Sequence, residues 1–197
     1  KSNYAWDDGT YASKTLTCSI GKKAVTYTAG SGSKIYDGTA LTKNSATLTS
    51  GSLVSGHTAT FTISGTITNV GSVTNTLSAV VIKNASGTDV TGNYAVTKVN
   101  GSLTVTRAKT ATTGSCKTLT YNGSSQTLAG NGTNVDYTNN SGTDAKSYTV
   151  TVTPKSNYAW DDGTYASKTL TCSINKASVV IPTSPSDKTY NGSSQSS

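Results

Sequence analysis

Catalysis needs a nucleophile with a base, paired carboxylates, or ligands that converge on a metal. For such work the chain has nine acidic residues, one histidine and three cysteines in 197 residues. The histidine, His57, lies in a Ser/Gly/Thr stretch, SGHTAT, and reads as a surface residue. All nine acids are aspartate, and most stand beside Gly or in Asn/Thr-rich stretches, where they serve turn geometry. No Cys and His stand at zinc-site spacing. The residues read as those of a protein that is not an enzyme and takes no cofactor. Two weaker groupings remain. Asp161-Asp162, repeated as Asp7-Asp8, offers oxygens to calcium, but a full site takes about six or more, and turn chemistry is the simpler account. Tyr158, Trp160 and Tyr165, with copies Tyr4, Trp6 and Tyr11, form the densest aromatic group. Such rings either stack on a glycan or supply the core that a single phenylalanine cannot. Tyr158 and Trp160 share a face at period two, which favours the core.

The cysteines are read through a repeat. Lys155–Ile174 repeats Lys1–Ile20 residue for residue as KSNYAWDDGTYASKTLTCSI, and an identical copy at that distance marks a tandem array. Cys18 and Cys172 therefore hold the same repeat position, and Cys116 precedes Cys172 within one unit. The expectation is a Cys116–Cys172 disulfide, with Cys18 pairing outside the chain. The alternative is three reduced, buried cysteines acting as small hydrophobes. A disulfide points to an oxidising, extracellular setting. The chain also reads as an excerpt of a longer protein. It opens part-way through one repeat, and Lys188–Gln195 (KTYNGSSQ) restarts Lys117–Gln126 (KTLTYNGSSQ). Counting back from the restart places Pro185 or Asp187 where Cys116 would align, so not every unit carries the first cysteine.

The elements that must position these residues are strands. Leu170, Cys172 and Ile174 alternate with Thr169, Thr171 and Ser173. Tyr148, Val150, Val152 and Pro154 oppose Thr149, Thr151 and Thr153. The same period recurs at Ala59, Phe61 and Ile63, and at Leu103 and Val105. Period two with β-branched hydroxyl residues on the wet face describes half-buried strands. Turn signals separate them at Asp8-Gly9, Asp37-Gly38, Asn100-Gly101, Asn122-Gly123, Asn131-Gly132 and Asp162-Gly163. Asn100-Gly101 predicts a hairpin between Tyr94–Val99 and Ser102–Thr106. Asp161–Gly163, flanked by Trp160 and Tyr165, predicts the loop joining the last two strands of its unit.

Ser and Thr make up about a third of the chain and Glu is absent, so each domain has a small core. The repeat sets the boundaries: residues 1–21 as the tail of a preceding unit, 22–107 and 108–176 as two β domains, and 177–197 as the start of another. The connectors GKKAV, RAKTAT and NKASVV contain no flexible run, which predicts an extended rod. The net charge is +7, but the basic residues are dispersed and only Arg107 is arginine, which argues against nucleic acid as a partner. No stretch approaches the ~18–20 apolar residues of a membrane span.

Gly32–Thr42 (GSKIYDGTALT), Leu48–Thr60 (LTSGSLVSGHTAT), Thr68–Leu77 (TNVGSVTNTL) and Asp89–Thr106 (DVTGNYAVTKVNGSLTVT) follow in an order that resembles the YDG-type and related MBG-type repeats of large bacterial surface proteins. YNGSSQTL, AKSYTVTVTPKSNYAWDDGT and KTLTCSI resemble a shorter relative in the same or a bacterial Ig-like group. The resemblance implies an all-β chain of tandem small domains, β-grasp-like or Ig-like sandwich, and carries no catalytic residues. It implies structural stalk or spacer repeats of a secreted or cell-wall-anchored adhesin or fibre at the bacterial cell surface. Alternatives are a repeat that binds host glycan or mucin, and a subunit of a self-assembling extracellular filament. The partners expected are neighbouring repeats, identical chains in a fibre, and host glycan or mucin. A Lys–Asn isopeptide bond, known in some fibre domains, uses a buried acid that is most often Glu or Asp, and Glu is missing here. Sequons at Asn84, Asn100, Asn122, Asn131, Asn139 and Asn191 are expected by chance in so Ser/Thr-rich a chain.

Overall fold

A computed structural model describes residues 3–183 and 189–194; Pro185, Asp187, and the ends of the restarted motif at Lys188 and Gln195 lie outside the described residues. Contacts divide the chain into Lys1–Thr106 and Arg107–Ser197. The chain is nearly all β, as the alternation predicts, and the one helical segment among the described residues is a single 3-10 turn at Thr91–Asn93.

The first unit holds β1 (Lys23–Ala29), β2 (Gly32–Ile35), β3 (Ala46–Gly51), β4 (Thr58–Ser64), β5 (Gly71–Lys83), β6 (Tyr94–Val99) and β7 (Gly101–Thr106). They form two sheets, ordered β3-β1-β6 and β2-β7-β5-β4. Val25, Tyr27 and Ala29 of β1 and Tyr94 of β6 meet Leu77, Val80 and Ile82 of β5, with Phe61 of β4 packed at a tilt against Tyr27, ring centroids 5.1 Å apart. A core between two sheets is a sandwich arrangement; a β-grasp fold would need a helix that these residues do not form. β5 serves two neighbours in turn. Its first half pairs with β7 and its second half with β4, and the register slips between Thr62 and Ile63. That slip bulges at Ser78, whose hydroxyl donates to the Thr62 carbonyl at 3.0 Å. It also explains why the buried residues of β5 skip from Leu77 to Val80.

The hairpin expected at Asn100-Gly101 does not form. β6 pairs in parallel with β1, whereas β7 pairs with β5 and β2, so the chain crosses between sheets there. Neither residue has the positive φ of a tight hairpin turn. Asn100 instead accepts the Leu77 amide at 3.0 Å, and a side chain at Gly101 would strike the Gly30 carbonyl.

The second unit is built on a sheet ordered β12-β14-β15-β9, from β9 (Leu119–Thr120), β12 (Val135–Thr138), β14 (Ser147–Pro154) and β15 (Lys168–Asn175). Two short ladders complete it: β8 (Ser115–Cys116) with β11 (Ala129–Gly130), and β10 (Gln126–Thr127) with β13 (Ser141–Gly142). Leu128, Ala129, Val150, Cys172 and Ile174 form one buried cluster, and Ala111, Val135, Val152 and Trp160 a second. Thr149 and Thr171 face each other on the outer side, as do Thr151 and Thr169. The core is on one face and hydroxyls on the other, as the sequence period requires.

Candidate functional site

Of the residues singled out in the sequence, Tyr158, Trp160, Asp161, Asp162 and Tyr165 lie on the passage from β14 to β15. β14 ends at Pro154, and the chain must return as the antiparallel β15. It does so through a turn in which the Trp160 amide donates to the Thr164 carbonyl at 2.8 Å and the Gly163 amide to the Trp160 carbonyl at 2.9 Å. Gly163 takes φ 83°, a conformation that L side chains resist. Asp162 Oδ1 accepts the Thr164 amide at 2.8 Å and the Thr164 hydroxyl at 2.6 Å. Those two bonds, the hydroxyl first, hold the Asp162 carboxyl below its ordinary value, helped by the charges of Lys168 and Lys109. The same Asp-x-Thr device recurs at Asp37–Thr39 and Asp89–Thr91. Asp162 therefore serves the turn. Among the described residues no group of three or more His, Cys, Asp or Glu is placed to hold a metal ion.

The aromatic trio does not present one face. Trp160 is 3% exposed and sealed against Ala111, Val135 and Val152. Its Nε1 donates to the Ala166 carbonyl at 2.7 Å, and the Lys168 ammonium lies 4.7 Å over the ring. Tyr158 is half-buried against the same cluster. Only Tyr165 is open, at 60% exposure, and the Arg107 guanidinium covers its ring at 4.1 Å. The glycan platform of Tyr158, Trp160 and Tyr165 allowed by the sequence is thus not built; two of the three rings are packing. Backbone bonds fasten the same loop to the start of the unit, with Ala159 donating to Ala108 at 2.9 Å and Ala111 donating to Ala159 at 3.0 Å.

The closing strand is stapled. Cys116 and Cys172 form a disulfide with Cα atoms 5.3 Å apart. Cys172 is buried among Leu128, Val150 and Ile174, while Cys116 lies on the exposed β8. The bond ties β8 to β15, the sheet's inner strand between β14 and β9. Cys18 is unpaired and exposed. Around it the first copy of the motif shows Tyr4, Trp6 and Tyr11 exposed, Trp6 at 50%.

Sequence reasoning missed two polar anchors in the first unit. Asn75 is fully buried, and its Nδ2 donates to the carbonyls of Gly30 and Lys43, both at 2.8 Å. Its Oδ1 has no partner. The second is His57, which is half-buried rather than on the surface: Nδ1 lies 2.7 Å from the buried Tyr94 hydroxyl, which also accepts the Val54 amide at 3.1 Å. No local pattern marks either residue, because their partners lie more than thirty residues away in the sequence.

No helix among the described residues is long and apolar enough to cross a membrane. No protein family, curated protein or solved structure matches the chain.

Proposed function

We propose that this stretch is a pair of structural spacer repeats from an extracellular bacterial surface protein, an adhesin stalk or fibre, that holds its flanking segments apart. One observation carries the reading: the side chains that could do chemistry are used to hold the fold. Asp162, Asp37 and Asp89 close turns, Trp160 fills a core, His57 fastens a loop, and Cys116 and Cys172 staple the closing strand. The ordered blocks resembling YDG-type and MBG-type repeats support it, as do connectors without flexible runs and a disulfide of the kind that persists in oxidising compartments. Glycan binding through the second copy of the aromatic motif would need the Trp160 ring, which is buried here. Small-angle scattering on concatenated copies of the chain tests the proposal. The maximum dimension is expected to grow in proportion to copy number; a particle that folds back and stays compact would refute it.

A further inference from the structure

The same twenty residues occur twice in this chain in two states, and the comparison separates what they do alone from what they do with partners. The turn forms in both copies. Trp6 donates to Thr10 at 2.9 Å and Gly9 to Trp6 at 2.9 Å, matching the bonds around Trp160. Trp6 Nε1 reaches the Ala12 carbonyl at 2.8 Å, as Trp160 Nε1 reaches Ala166. The strand forms only once. Lys168–Asn175 is β15, hydrogen-bonded to β14 and β9, with Cys172 and Ile174 buried. Lys14–Ile20 has no strand structure; Leu16 is 87% exposed, Ile20 100%, and Cys18 is a free thiol. Leu16, Cys18 and Ile20 share one face at period two, an apolar stripe that in the twin copy is covered by Leu128, Val150 and a disulfide.

We infer that Lys14–Ile20 is a donor strand whose partner is a β unit of the second unit's own type. It enters the slot between that unit's β14 and β9, with Leu16, Cys18 and Ile20 taking the places of Leu170, Cys172 and Ile174. The register is dictated by identity: Leu16 opposite Val150, Cys18 opposite Tyr148, and Ile20 beside Leu119. Cys18 then stands where Cys172 stands, within reach of the acceptor's Cys116. The covalent step is thiol–disulfide exchange with a small-molecule disulfide such as oxidised glutathione. The thiolate of one cysteine attacks that disulfide and releases one thiol. The other cysteine's thiolate attacks the mixed disulfide, forming the Cys18–Cys116 bond and releasing the second. Two electrons pass to the small disulfide, and the protons of Cys18 and Cys116 leave with the two thiols. Because acceptor and donor occur in one chain, a molecule whose own β15 is disabled becomes an acceptor for this segment.

The test uses the full chain in two variants. Leu170→Asp/Cys172→Ser/Ile174→Asp disables β15, and Cys172→Ser alone leaves it in place but frees Cys116. Each is held in a mixed glutathione buffer, quenched by alkylation and mapped by mass spectrometry. In the first, Cys18–Cys116 is expected as the dominant linkage; in the second, where β15 still fills the slot between β14 and β9, its yield is expected to be several-fold lower. Adding Leu16→Asp and Ile20→Asp is expected to lower its yield at least roughly tenfold, since each buries a carboxylate in the slot. In the first variant, linkage shared evenly with Cys18–Cys18 and Cys116–Cys116, no Cys18–Cys116 at all, or a yield indifferent to the added Asp pair would overturn the inference, as would equal Cys18–Cys116 yields in the two variants.

Discussion

Cutting the staple isolates one term of the second unit's stability. Cys116 is exposed and Cys172 buried, so Cys116→Ser removes the cross-link while leaving the core side chain in place. The bond closes a separation of 56 residues. In the chain-entropy treatment a loop of that length contributes about 4 kcal/mol by restricting the unfolded chain. That is a large share of the ~5–15 kcal/mol by which folded domains outlast their unfolded states. For a unit of this size it corresponds to a fall in melting temperature of roughly 15–30 °C. The assay is thermal and guanidinium unfolding of Cys18→Ser against Cys18→Ser/Cys116→Ser, so that no third thiol exchanges. Trp160 emission reports the second unit, because the other tryptophan, Trp6, is half exposed already and lies outside any core. The first unit, followed by hydrogen exchange at β1 and β5, is expected to keep its protection. A loss below about 1 kcal/mol would show that the unfolded chain is already compact around β8 and β15. An equal loss in both units would refute the assignment of the bond to one of them.

Truncating Trp160→Ala is expected to cost about 3–5 kcal/mol in urea unfolding, because the ring is buried, whereas Trp6→Ala costs within about 0.5 kcal/mol. Asn75→Ala removes the buried donor to the Gly30 and Lys43 carbonyls and is expected to cost about 1–3 kcal/mol, read from the first unit's urea midpoint. Tyr94→Phe removes the hydroxyl that His57 and the Val54 amide share, and is expected to raise hydrogen exchange at Val54 more than at β1. Asp37, Asp89 and Asp162 lie below the ordinary 3.8, Asp37 through Lys34 and then Thr39, the other two chiefly through Thr91 and Thr164. A carboxylate depressed on folding stabilises in full above its unfolded value and loses that contribution as pH falls through the folded value. Urea midpoints are therefore expected to hold steady down to about pH 4 and decline below it. A midpoint that rises on acidification would contradict the turn assignment.

How much of this could be read from residues depends on how far apart the partners are. Alternation placed β4, β7, β14 and β15, because the signal lies within each strand. The Asp-Gly turns were equally visible, since Asp162 and Thr164 are two residues apart. Asn100-Gly101 shows the limit. The dipeptide favours a hairpin locally, yet β1 and β5 offer β6 and β7 better partners in different sheets, and the turn chemistry gives way. The aromatic group divides for the same reason. Period two places Tyr158 and Trp160 together, and both pack inward, but nothing local says that Arg107 would cover Tyr165. Asn75 reads as one more surface asparagine until the loops at Gly30 and Lys43 close over it.

The duplicated motif makes the division quantitative within one molecule. Both copies have the same intrinsic propensities, so every difference between them is tertiary. What both retain is a turn whose bonds span six residues or fewer: Trp to Thr, Gly to Trp, Asp to Thr, and indole to the alanine beyond. What only the second has is the strand, whose partners β14 and β9 come from elsewhere in the unit. Strand propensity in KTLTCSI is therefore insufficient by itself; a strand becomes stable where a sheet edge and a buried face receive it. In the second unit the closing strand β15 is held by β14 and β9 and cross-linked to β8, so its docking fixes where that unit ends.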